Sequence, residues 1–188
     1  AGPYSGAHLN PAVSLALYLN GDLSLPSMAL YMGAQILGAA AGTSLNYLYH
    51  KPHYDRTDDP SAIRGSFCTS PSIYLTWNNL LNEILGAFVL VFVVFYISDG
   101  AIQNESSTPI GLGSVGALPV ALLVWVIGMA LGGTTGYAIN PARDFGPRLV
   151  YQLLPRKNKD ADWSYAWIPI LGPFVGGALA GGAYLLLV

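Results

Sequence analysis

Apolar residues along this chain gather into four long runs divided by polar stretches: 26–48, 78–98, about 112–132 and 163–188. Each run comes close to the about 20 apolar residues that a helix needs to cross a bilayer, so each is a candidate membrane span. The first follows the turn signal Asn20-Gly21-Asp22 and opens at Pro26. It carries Gly38 and Gly42 four apart and ends on Tyr47 and Tyr49, where an aromatic belt would lie. The second holds Glu83 near its start and then Ile84 to Ile97, broken only by Gly86. The last repeats the four-residue spacing at Gly172/Gly176 and Gly177/Gly181. Small residues so spaced let helix backbones approach where lipid supplies no hydrophobic drive. Between the runs lie a long polar loop at 50–77, solvated on one side, with His50, Lys51, His53, Arg56, Asp58, Asp59 and Arg64, a polar connection at 99–109, and the stretch Arg156 to Asp162.

Two shorter apolar runs break this pattern, and both follow the same motif. Gly6-Ala7-His8-Leu9-Asn10-Pro11-Ala12 precedes Val13 to Leu19, and Gly136-Tyr137-Ala138-Ile139-Asn140-Pro141-Ala142 precedes Phe145 to Leu154. Each motif is Gly, three residues, then Asn-Pro-Ala, and the copies lie 130 positions apart. Asn is a strong N-cap and Pro suits the first helical position, so both copies predict a helix start. Neither following helix is long enough to span. Half-length helices entered from irregular segments are expected of channels and transporters. Three spans separate the copies, and an odd number of crossings inverts the second relative to the first. The expected fold is therefore an all-α membrane protein. It is an inverted repeat of four spans and two half-helices, 6–19 and 136–154, whose N-termini meet at the bilayer midplane within a single transmembrane unit, 1–188.

Composition strengthens the membrane reading. The chain is 53% hydrophobic and 10% charged, against about a quarter charged in an average soluble domain. A net charge of −2 gives no footing for nucleic acid. The single cysteine, Cys68, excludes an intrachain disulfide, suggests no metal framework and reads as a small space-filler. The start, Ala1-Gly2-Pro3, shows no signal peptide and opens inside the first repeat, so upstream sequence is expected to be missing.

The paired motif has its own chemistry. Two facing N-termini bring two positive dipole ends to one point, a field that disfavours cations and a hopping proton. Asn10 and Asn140 would each cap a helix through the side-chain oxygen and offer an amide donor to a passing oxygen. The segments Gly6 to Leu9 and Gly136 to Ile139 are tolerable at membrane depth only beside a wet cavity, where their carbonyls would form a ladder of acceptors. Apolar spans opposite would leave a dry wall, a lining suited to a solute with hydroxyls on one edge and CH groups on the other.

The two Asn-Pro-Ala boxes, the run Ser5 to Val13 and the run Asn140 to Pro147 resemble the major intrinsic proteins. Asp144 directly after Arg143, and Pro169-Ile170 in the last span, resemble the aquaglyceroporin, or glycerol uptake facilitator, branch. That family has six full spans, so the resemblance implies that the first two are absent here. It also implies roles. Arg143 is similar to the constriction arginine that donates to solute hydroxyls and repels cations. Gly128 matches the position where water channels carry His, which implies a wider opening. Tyr137 stands where glycerol facilitators usually carry Phe, its hydroxyl making the filter narrower or more polar. The fourth constriction residue falls in the missing second span. Glu83 is similar to a buried glutamate that accepts from backbone N–H groups of the second half-loop and keeps its carbonyls turned into the pore. Pro11 and Pro141 support the half-helices, Asp144 suits a first-turn acid, and His8 reads as pore-lining or cap-supporting.

The resemblance implies a passive channel for glycerol, other small neutral polyols and water that excludes ions and protons. A water-selective pore is the alternative, kept open by Tyr137; a proton- or ion-coupled transporter working through Glu83 and a purely structural membrane-junction protein are further classes. No nucleophile–base pair or metal cluster suggests an enzyme, and no cofactor is implied. A homotetramer in the plasma membrane is the expected assembly. Asn104-Glu105-Ser106 fits a glycosylation sequon, which the family topology would place in the cytoplasm. The loops of Lys51, Arg56 and Arg64 and of Arg156, Lys157 and Lys159 would lie inside by the positive-inside rule but outside by the family topology, which is followed here.

Overall fold

The computed structural model describes residues 2–97, 101–102, 108–109, 113–156 and 159–188. The sequon and Lys157 lie outside them, as does most of the 99–109 connection, of which a two-residue antiparallel pair, β1 (Ala101–Ile102) and β2 (Thr108–Pro109), is described. Every other element is helical. A single turn, α1 (Gly2–Ser5), leads to the first half-helix, α2 (Pro11–Leu19), and then to α3 (Leu25–Asp55) and a short α4 (Pro60–Gly65). The second half holds α5 (Thr76–Tyr96), a 3-10 turn at Gly113–Ala117, α6 (Leu118–Thr135), the half-helix α7 (Pro141–Leu153) and α8 (Trp163–Leu187).

Both half-helices begin where the motif predicts and for the predicted reason. Asn10 sits at φ −149° and Asn140 at φ −154°, extended backbone outside the helix. The side-chain oxygen of Asn10 accepts from Ala12 N–H at 2.9 Å. That of Asn140 accepts from Ala142 and Arg143 N–H at 3.0 and 3.2 Å. Pro11 and Pro141 fill the first helical positions.

Among the described residues, three helices are long and apolar enough to cross a membrane: Thr76–Tyr96, Val115–Thr135 and Trp163–Leu187. The fourth expected span, α3, is longer, but Gln35, Thr43, Ser44 and Asn46 dilute its apolar character. Glycines let α8 close on two partners. A Cβ on Gly172 would stand 2.6 Å from the Cβ of Glu83, and one on Gly177 would stand 2.7 Å from the carbonyl of Ala12. Gly176 rests on Ile84 and Gly181 on Ala16. One face of α8 thus seats α5 and the next seats α2. Gly38 and Gly42 do not act this way: among the described residues nothing lies within 4 Å of a Cβ built on either.

The stretch expected as a solvated loop at 50–77 is partly core. Helix α3 runs on to Asp55, and Tyr54, Ile63 and Phe67 pack with Tyr47, Tyr151, Leu154 and Ala161 in one buried cluster. Averaging over a polar window hid these apolar positions. The same cluster takes Tyr47 out of the aromatic belt, while Tyr49 remains exposed.

Candidate functional site

The two half-helices meet end to end through reciprocal bonds. Asn10 Nδ2 donates to the carbonyl of Ile139 at 2.8 Å, and Asn140 Nδ2 donates to that of Leu9 at 2.9 Å. Each asparagine therefore reaches the residue preceding the other, the pattern a local twofold axis imposes. One amide hydrogen of each is spent on this junction and the second remains for a ligand.

The entering segments are held in backbone conformations that side chains avoid. Gly6 and Ala7 lie at φ 67° and 55°, and Gly136, Tyr137 and Ile139 at 77°, 40° and 43°. Left-handed non-glycine residues cost on the order of 1–2 kcal/mol each and persist only where the surroundings fix them. Glu83 supplies that fixing for the second segment. Wholly buried, it accepts from Thr135 Oγ1 at 2.6 Å and Ala138 N–H at 2.9 Å on Oε1, and from Ile139 N–H at 2.8 Å on Oε2. Three donors compensate a carboxylate that would be costly to bury alone. The first segment is held by neutral groups. Gln35 Nε2 donates to the carbonyl of His8 and to Ser14 Oγ, Ser14 Oγ donates to the carbonyl of Asn10, and His8 Nδ1 pairs with Ser14 Oγ at 3.0 Å.

These bonds thin the expected carbonyl ladder. The carbonyls of His8, Leu9 and Ile139 are occupied, whereas among the described residues no donor reaches those of Gly6, Ala7, Gly136, Tyr137 and Ala138. A cavity of about 340 Å³ runs beside them. It is lined by Gly6, Ala7, His8, Leu9, Asn10, Tyr137, Ala138, Ile139, Asn140 and Arg143 of the entering segments and helix starts, and by the aliphatic side chains of Val13, Leu90, Val94, Val120 and Val124. A second cavity of about 560 Å³ lies between the junction and α3, reached by Tyr31 and Gln35 and sharing His8, Leu9, Asn140 and Arg143 with the first. Arg143 is exposed, and among the described residues its guanidinium meets no acceptor, so its donors face the cavities at the positive end of α7.

Some expected site residues serve the lining from behind it. Gly128 does not face the cavity. With Gly132 it forms a shallow seat on α6, where a Cβ would come within 3.1 Å of Tyr137 Cζ at 128 and 2.6 Å of Tyr137 Cδ1 at 132. The opening a glycine was expected to leave is thus partly filled by the Tyr137 ring. Asp144 is more than a first-turn acid. It is wholly buried and paired with Arg148 through Nε–Oδ1 at 2.7 Å. Gln35, Ser14, Gly132, Thr69 and Arg148 had escaped sequence reasoning. A lone amide in an apolar span marks Gln35, and acid–base spacing of four on a helix marks Arg148; Thr69 carries no such mark.

Two stub helices capped on each other, flanked by apolar spans, make this an integral membrane protein built as an inverted repeat. The chain belongs to the major intrinsic protein family, whose profile ("Major intrinsic protein") matches residues 1–184, and within it to the aquaglyceroporin branch. It is 46% identical over 184 residues to a probable glycerol uptake facilitator protein of Thermotoga maritima, covering 97% of this chain and 75% of that protein. It is likewise 46% identical over 185 residues to the glycerol uptake facilitator protein of Bacillus subtilis, covering 97% of this chain and 64% of that one. The crystal structure of the aquaglyceroporin from Plasmodium falciparum superposes with a TM-score of 0.79 at 29% identity, over 98% of this chain and 74% of that one.

Proposed function

We propose that this chain forms the pore of a passive channel for glycerol and other small neutral polyols, which also passes water and excludes ions and protons. The observation that carries the reading is the cavity beside the Asn10–Asn140 junction, lined both by unbonded carbonyls and asparagine amides and by five aliphatic side chains. A polyol presents hydroxyls and CH groups on opposite edges and matches both. The names of the relatives agree with it. Glu83 holds the N–H groups of Ala138 and Ile139 and so leaves the segment's carbonyls to the lumen. Cations meet two helix N-termini and the Arg143 guanidinium together. Hydroxyl-bearing solutes instead find donors in Arg143 and the two asparagines, and the Tyr137 hydroxyl adds one further polar group to the lining.

The same proposal covers assembly and placement. Residues 1–188 act as one transmembrane unit within a homotetramer in the plasma membrane. The cationic loops face outward, following the family topology rather than the positive-inside rule.

Stopped-flow light scattering on proteoliposomes tests the reading. Glycerol entry well above that of empty vesicles is expected, and entry no faster than in empty vesicles rejects it. Fast water entry without glycerol would instead favour a water-selective pore, the alternative for which the hydroxyl of Tyr137 speaks.

A further inference from the structure

We infer that Thr69, on the loop 66–75 between α4 and α5, is a positioning residue that sets the aperture of the constriction; this rests on the channel reading above. The loop is a strap fastened on both sides of the site. At one end Ser72 N–H donates to the carbonyl of Thr134 at 2.9 Å and Ser72 Oγ to that of Gly133 at 2.6 Å, gripping the last turn of α6. At the other, Thr69 N–H and Oγ1 both donate to Asp144 Oδ2, at 2.8 and 2.6 Å. Arg148 completes the fastening. It donates to both oxygens of Asp144, to the carbonyl of Thr69 at 2.8 Å, and to the carbonyls of Ala161 and Asp162 at the start of α8. All five guanidinium donors are thereby used, and Thr69, Asp144 and Arg148 are all buried.

What this fastening does follows from where Thr69 touches the chain. Asp144 is the neighbour of Arg143. Gly136, the neighbour of Tyr137, lies against the Thr69 methyl, where a Cβ would meet Cγ2 at 3.3 Å. A single side chain thus bonds beside one constriction residue and packs beside the other. Its hydroxyl fixes the register of Arg143 and its methyl limits how far the Gly136–Tyr137 turn can withdraw. Separation between the two is the dimension that decides which polyol passes.

The two halves of the side chain can be removed separately. Thr69→Ser keeps the hydroxyl's bond to Asp144 and deletes the methyl; Thr69→Val keeps both methyl-sized branches and deletes the hydroxyl's bond, leaving that of the Thr69 N–H. The readout is the ratio of erythritol to glycerol permeability per folded channel in proteoliposomes, with Cys68, the chain's single cysteine, serving as a reporter of whether the strap is seated. In Thr69→Ser, with Cys68 labelling as slowly as in the unaltered protein, the ratio is expected to rise by a factor of about three or more, since small misplacements of a positioned group are felt steeply. A purely structural role would lower both fluxes together and leave the ratio fixed. An unchanged ratio in both variants overturns the inference, whether or not Cys68 labelling accelerates. Absence of glycerol flux in the unaltered protein would instead strike at the channel reading itself.

Discussion

Replacing Glu83 by Gln removes one charge and one acceptor while preserving shape. With the amide oxygen in the place of Oε1, Thr135 and Ala138 keep neutral bonds, but the Ile139 N–H now faces an NH2 group. Stranding that donor costs about 1–3 kcal/mol, and changing two charge-assisted bonds into neutral ones costs about 1 kcal/mol each. Removing a buried charge returns part of its desolvation penalty, which leaves an expected net loss of about 2–4 kcal/mol. That loss falls where Tyr137 and Ile139 are held left-handed, each with a tendency of about 1–2 kcal/mol to relax. The half-loop should therefore give way before the spans do. Thermal melting in detergent should shift down clearly, and glycerol flux per folded channel should fall by at least about tenfold, the change that about 1.4 kcal/mol produces. A variant with near-native melting and near-native flux would refute the assignment of Glu83 as the brace of this segment.

Further outcomes are expected. Arg143→Ala should raise cation and proton leak by about two orders of magnitude, since a unit charge about 5 Å from a passing cation is worth about 3 kcal/mol at an effective dielectric near 20; vesicles loaded with a pH-sensitive dye would show it, and an unchanged leak would count against the role. Gly132→Ala places a Cβ only 2.6 Å from Tyr137 Cδ1, so the ring must shift away from α6 toward the cavity it lines, and glycerol flux should drop more than water flux in paired osmotic assays. Burial pushes the Cys68 thiol up to about 12, well above an ordinary cysteine, so little thiolate forms near neutral pH. Maleimide should label Cys68 slowly in the folded protein and rapidly once it is unfolded.

How legible all this was in the sequence varies by element. The half-helices were readable because Asn-Pro-Ala specifies a cap through local chemistry alone, and both caps stand at Asn10 and Asn140 as that chemistry demands. The spans were readable from apolar length, with α3 the least distinct because Gln35 serves His8 and Ser14 rather than lipid. The loop at 50–77 was misread because Tyr54, Ile63 and Phe67 are scattered among charged residues, and only tertiary packing gathers them. At the site, the motif residues that line the cavity were named in advance, whereas the aliphatic lining of Val13, Leu90, Val94, Val120 and Val124 and most of the residues that hold the motif were not. Thr69 reaches Asp144 across 75 positions, and no local pattern announces such a contact. Gly128 was noticed for the space it leaves, but that space is taken by a ring from a different segment.

The reciprocal bonding of Asn10 and Asn140 has a mechanical consequence. Each half of the molecule clasps the other at its tip, so neither stub can retract, tilt or slide without dragging its counterpart along. The waist of the passage is accordingly braced from both halves at once. A movement that shut the passage at this point would have to break both bonds together.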